Sequence, residues 1–167
     1  MNDDFASLFA YNRWANDRVV QAARRLSAEQ YTQEPVPGWS SVRATLVHLA
    51  DATLIWSHRL RGEPIVARAT EADYPTLDAA DELLARGQEA FEQLLPTFTP
   101  ERLAAILSYR NFQDRDVSAP IWAVLRHVVN HATYHRGQIA AKLGRLGVEP
   151  LPTDLVFWAI EQSAKGS

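Results

Sequence analysis

The stretch SVRATLVHLADATLIWSHRLRG, residues 41–62, decides the fold. Val42, Leu46, Leu49, Thr53, Trp56 and Leu60 recur in steps of 4, 3, 4, 3 and 4, the spacing that lays one stripe along an α-helix and suits a bundle. Ser40 or Ser41, just after Pro37-Gly38, fits an N-cap, and Gly62 with Pro64 beyond it ends the pattern. A neighbouring row holds Thr45, His48, Ala52 and Ile55, so His48 lies on the flank of an apolar face and not among exposed charges.

Four more segments share this period. Residues 3–26 carry Phe5, Leu8, Phe9, Ala15, Val19, Ala22 or Ala23, and Leu26 along one face, with Asn12 and Asn16 on or beside it. Asparagine in such a stripe needs hydrogen-bond partners if it is buried. Residues 77–95 turn Leu83, Leu84, Ala90, Phe91, Leu94 and Leu95 inward; from Glu71 to Glu101 there are eight acidic residues and one basic residue, Arg86. The fourth helix is read over 119–146, with Pro120 suited to its first turn and Gly147 and Pro150 at its end. A short last helix is read over 153–164, capped by Thr153 or Asp154. Before the fourth helix, ILSYRNFQDRDVSAP alternates enough for a small hairpin turning at 111–114.

No repeat or linker divides the chain, which reads as one domain over 1–167. The connections between the first four helices exceed a tight bundle turn, so neighbouring helices are free to run parallel. The fold class is therefore all-α, a four-helix bundle with a short additional C-terminal helix. Trp14, Trp39, Trp56, Trp122 and Trp158 read as core or interface mass.

Composition narrows the chemistry. Cysteine is absent, which excludes disulfides, a cysteine nucleophile and thiolate metal sites. With 17 basic and 20 acidic residues the net charge is −3, which argues against general electrostatic binding to nucleic acid or to an anionic membrane. The opening MNDDFASLFAYNRW has acids where a signal peptide carries basic residues, and no apolar run approaches a membrane span. A cytoplasmic protein is expected.

The stretch RHVVNHATYHRGQI, residues 126–139, holds His127, His131 and His135. Residues four apart lie one above the other on a helix, so His131 and His135 are able to present two imidazoles to one ion. His127 and His135 are about 12 Å apart along the axis, too far for a single ion. The third ligand should come from another helix. The expected core stripe runs Ile121, Val124, Val128, His131, His135 and Ile139, with His127 off the line. His48 is mid-helix beside a core face, whereas His58 is nearly three turns further on. The reading is a site of His48, His131 and His135, with coordination positions left open, as in catalytic metal sites. His127, Asp51, Tyr134 and Gln138 are candidates for the surrounding layer, although Asp51 reads more readily as a solvated helix carboxylate and Tyr134 and Gln138 equally as ordinary packing.

The chain resembles the DinB/YfiT-like superfamily of metal-binding bundles through YNRWAN at 11–16, LVHLAD at 46–51, NHATYHRGQI at 130–139 and LPTDLVFW at 151–158. The resemblance implies an up-down-down-up bundle, one histidine ligand from the second helix and two from the fourth, a divalent ion such as zinc or nickel, and a homodimer. It also implies metal-dependent transferase or isomerase chemistry with low-molecular-weight thiols, as in bacillithiol transfer and mycothiol-dependent maleylpyruvate isomerisation. The family is named after a DNA-damage-inducible gene, but no feature of this sequence supports DNA binding. The functional expectation is a metal-dependent S-transferase acting on a small-molecule substrate. A metal-dependent hydrolase and a non-catalytic, metal-binding stress-response protein are the alternatives. The acid-free fourth helix offers positive potential for an anionic substrate, unless its cations pair with the acidic third segment.

Overall fold

The computed structural model describes residues 2–165. Four long helices, α1 (Asn2–Ala23), α3 (Val42–Arg61), α4 (Leu77–Leu94) and α6 (Ile121–Arg145), build the bundle. Between them lie the short α2 (Ala28–Thr32), a 3-10 turn (Leu95–Thr97), α5 (Pro100–Ala104) and an antiparallel hairpin of β1 (Ile106–Arg110) and β2 (Asp116–Pro120); α7 (Leu155–Lys165) follows the bundle. Ser41 caps α3 by accepting from the Ala44 N–H at 2.9 Å, and Gly62 closes the helix in the left-handed conformation, φ 70°.

Cross-helix contacts give the direction of each helix. On α1 and α4, Arg24 meets Asp78 and Asp81 while Arg13 meets Glu92, so the two run antiparallel. On α1 and α6, Phe5 lies against Arg126 and Asn16 against Arg136, so these run parallel. Thr45 meets Lys142, and Trp56 meets His127, which makes α3 and α6 antiparallel. Thr53 approaches Gly87, and Arg61 bonds to Gln93, which makes α3 and α4 parallel. The bundle runs up-down-down-up. The parallel pair requires residues 62–76 to cross the length of the bundle. Its close approach depends on Gly87, where a Cβ would stand 3.0 Å from Thr53 Cγ2.

The core has two apolar ends. One gathers Val19, Leu46, Leu49, Leu83, Leu84, Ile139 and Leu143; the other gathers Phe5, Phe9, Phe91, Phe98, Leu125 and Val128. Between them lies a polar waist of Asn12, Asn16, Gln88, His135 and Arg136, all buried.

Several sequence expectations shift. The hairpin forms, with the Asn111 side chain accepting from the Gln113 and Arg115 N–H groups in its turn. It claims residues up to Pro120, so α6 begins at Ile121 and Pro120 stands at its N-cap. The last helix begins at Leu155 and leaves Leu155, Val156, Phe157 and Ile160 exposed. Short α2 and α5 have too few residues for a readable period. None of the five tryptophans is fully buried: Trp39 and Trp122 are exposed, and Trp14, Trp56 and Trp158 pack on the rim of the second core cluster. Among the described residues, no helix is long and apolar enough to cross a membrane.

Candidate metal centre

The antiparallel packing of α3 on α6 brings His48, His131 and His135 together. One ring nitrogen from each lies within 4.8 Å of the other two. The ring centroids are 5.3 Å apart for His48–His131, 4.5 Å for His48–His135 and 4.3 Å for His131–His135. Nitrogens on one tetrahedral ion at about 2.0–2.1 Å sit about 3.4 Å apart, so the rings close by up to about 1.4 Å to hold one ion. His135 Nδ1 lies 2.8 Å from Gln138 Oε1. With Nδ1–H donating, Nε2 keeps its lone pair for an ion, and the ring is held in orientation. His48 and His131 make no hydrogen bond among the described residues, which leaves their lone pairs available.

Electrostatics keep the imidazoles neutral. His131 is pushed down to about 4, first by burial and then by the charges that His135, His48 and His127 would carry. Burial also lowers His48, aided by His135 and Arg68 and opposed by Asp51. Burial lowers His135, with Gln138 opposing and Lys142 adding to the effect. A neutral imidazole is the form that ligates a metal.

The other candidates divide. The His127 ring stacks on His131 at 5.4 Å from the exposed side and stays outside the triad. The Tyr134 ring stands 5.2 Å from His135, itself 65% exposed. His58 is absent from the cluster and faces Glu63. Asp51 corrects the expectation of a solvated carboxylate. It is 4% exposed, and its oxygens accept from Arg68 Nε at 2.5 Å and the Ala69 N–H at 3.0 Å. It ties the 62–76 crossing to α3 and reaches His48 only through its charge.

The other side of α6 explains the two asparagines of α1. Arg136, 1% exposed, donates to Asn12 Oδ1 at 2.6 Å, Asn16 Oδ1 at 2.8 Å, Thr133 Oγ1 at 2.7 Å and the Tyr11 hydroxyl at 3.3 Å. Asn16 donates in turn to Gln88 Oε1 at 2.9 Å. The YNRWAN and NHATYHRGQI stretches thus meet inside the bundle. They fix the rotation of α6 so that His131 and His135 face α3.

A family model described as "DinB family" matches residues 1–164. The chain belongs to the DinB family. It is 30% identical over 161 residues to "Protein DinB" of Bacillus subtilis (strain 168), covering 92% of each chain. It is 23% identical over 158 residues to the uncharacterized protein YizA of the same strain, covering 89% of this chain and 91% of that one. A DinB-like protein from Bacillus cereus ATCC 10987 has a similar fold, with TM-score 0.67, 20% identity and coverage of 90% and 95%. YfiT from Bacillus subtilis, described as "a probable metal-dependent hydrolase with an unusual four-helix bundle topology", aligns with TM-score 0.66, 17% identity and coverage of 89% and 91%.

Beside the triad of this DinB-family chain lies a cleft of about 500 Å³ lined by Trp39, Ser40, Tyr134, Gln138 and Lys142 among others. The acid-free fourth helix is expected to offer open positive potential, and Lys142 is one of its cations. Instead it is 5% exposed and donates to Ser40 Oγ, the Ser41 carbonyl and Thr45 Oγ1. Nor do Arg136 and Lys142 pair with the acidic third segment. Those acids serve α1, where Arg13 takes Glu92 and Arg24 takes Asp78 and Asp81. Sequence reading missed Arg136, Lys142, Trp39 and Ser40 as parts of this region. Only Asn12 and Asn16 signalled that a buried donor was required.

Proposed function

We propose that this chain is a divalent-metal-dependent enzyme that holds its ion on His48, His131 and His135 and transfers a small thiol onto an electrophilic substrate. The observation that carries the reading is the convergence of three neutral imidazoles, within 4.8 Å, beside a cleft of about 500 Å³. An ion held there supplies a Lewis acid that lowers the pKa of a thiol or water reaching it. The chain's own residues favour the thiol. Among the described residues, the one carboxylate acting on the triad is Asp51, and Arg68 holds it. A thiol, ordinarily near pKa 8.5, needs less help from a base than water does. Gln138 orients His135, while Trp39 and Tyr134 offer apolar walls for the substrate. With no cysteine in the chain, the sulfur arrives with the co-substrate. Hydrolysis is the second reading, supported by the fold likeness to YfiT and its description. The exposed row Leu155, Val156, Phe157 and Ile160 supports a homodimer, because contiguous apolar surface marks association.

Untagged protein purified without chelator should carry one divalent ion per chain, or take up one on reconstitution with zinc or nickel. No bound metal under either condition sinks the proposal. His48→Ala and His131→Ala should weaken binding greatly and His127→Ala much less; equal losses contradict the ligand set. With metal loaded, turnover of small thiols with electrophiles no faster than in His135→Ala refutes S-transfer.

A further inference from the structure

The cations of α6 nearest the waist are committed, Arg136 to the asparagines and Lys142 to the start of α3. Arg59 is different. Its guanidinium carbon lies 4.7 Å from the Trp56 ring centre, 4.2 Å from Tyr109 and 5.1 Å from Phe112. Among the described residues it makes no hydrogen bond or ion pair, and its Nε is buried without an acceptor. The rings enclose the charge without accepting its N–H groups in the plane, where a guanidinium binds carboxylate or phosphate through two parallel bonds. Arg68 lies over the same Phe112 ring at 4.6 Å. Two guanidiniums therefore share one ring, and of the two only Arg68 has a carboxylate, Asp51 at 2.5 Å. Burial acts first against the Arg59 charge, and the charge of Arg68 adds to that effect.

This cationic end adjoins the triad. Trp56 stands 5.2 Å from His127, whose ring stands 5.4 Å from His131. Asp51 and His48 are three residues apart on α3. Hairpin and helix together form an aromatic shelf leading from Arg59 to the histidines. Phe112, at the hairpin tip and 55% exposed, closes its outer edge without sealing it.

We propose that Arg59, with Arg68 beside it, binds an oxyanion group, carboxylate or phosphate, on the small molecule whose reactive end reaches the triad. The link to the triad rests on the function proposed above; the anion site by itself does not.

Two arms test this. In the first, metal-free protein is titrated with acetate, inorganic phosphate and neutral acetamide while the Trp56 indole N–H is followed by NMR. Saturable shifts are expected with the two anions and none with acetamide. Affinity should fall about tenfold or more in Arg59→Met and recover in part in Arg59→Lys, as loss of a charged hydrogen bond requires. Arg59→Gln serves in place of Arg59→Met if the latter fails to fold. No saturable shift in the wild type, or undiminished affinity in the variant, overturns the proposal. In the second arm, cobalt-loaded protein is titrated with 3-mercaptopropionate and 2-mercaptoethanol and read by visible absorption. The anionic thiol should bind more tightly to wild type and lose that advantage in Arg59→Met. An advantage that survives the substitution overturns the substrate role even if the first arm succeeds. Failure of cobalt to load counts against the metal reading alone, and the first arm still decides the anion site.

Discussion

His135 and Arg136 are adjacent in the chain, about 100° apart around α6, yet they face different neighbouring helices and have opposite kinds of surroundings. Arg136 reaches toward α1 and is met by Asn12, Asn16, Thr133 and Tyr11. His135 reaches toward α3, where one nitrogen is held by Gln138 and two further imidazoles crowd the other side. The first group is a buried cation supplied with acceptors. The second is a cluster of acceptors with no cation. Polar groups inside a bundle are costly unless they are paired, so the first cluster serves the fold and the second is the proposed place for an ion. Arg59 makes the same distinction among the cations: among the described residues none accepts from its guanidinium, whereas Arg136 lacks a partner only at Nε.

This contrast is open to breakage. The largest effect is expected from Arg136→Met, which strands the buried asparagine oxygens. It should cost about 3–5 kcal/mol in urea unfolding, in the manner of a broken buried charge network. Replacing Asn12, Asn16 and Gln88 with Leu in the same chain should recover much of that loss, because the buried amides that Arg136 and Asn16 satisfy are then gone. Next comes His135→Ala. It should weaken zinc or nickel binding about 100-fold or more by calorimetry while altering metal-free stability by only about 1 kcal/mol. A stability loss as large as that of Arg136→Met would erase the distinction between the two sides of α6.

Gln138→Leu should act more weakly, lowering metal affinity about tenfold by freeing the His135 ring. The smallest effect is on pH dependence. His131 titrates at about 4 in the folded, metal-free chain, against about 6.5 when unfolded. Between those values the unfolded chain binds the extra proton, so stability rises with pH across the window and is lost as pH falls through it. His48 and His135, lowered in the same direction, add to the slope. Urea midpoints measured from pH 4 to 7 should climb in the wild type and flatten in His131→Ala.

Helical period, the caps at Ser41 and Gly62, and the i, i+4 histidines were legible because each depends on residues close in sequence. Local spacing also singled out His48 over His58, since only the former sits mid-helix beside an apolar row. The hairpin was faintly legible, and it shortened α6 because strand pairing claimed residues 116–120. The role of Arg136 was not legible: its acceptors lie 120 or more positions away on α1. The partners of Lys142 and Asp51 were not legible for the same reason, one bonding to the start of α3 and the other to the crossing that follows it.

By itself, then, the sequence determined an all-helical, cysteine-free chain with an imidazole pair on one helix and a third imidazole on another, because periodicity and ligand chemistry are local properties. Tertiary structure decided which charges are spent and which remain open. A cation's availability depends on whatever distant groups the packing brings to it, and nothing in the spacing along α3 or α6 distinguishes the enclosed, acceptor-free Arg59 from Arg136, whose two terminal nitrogens are engaged by α1 and Thr133.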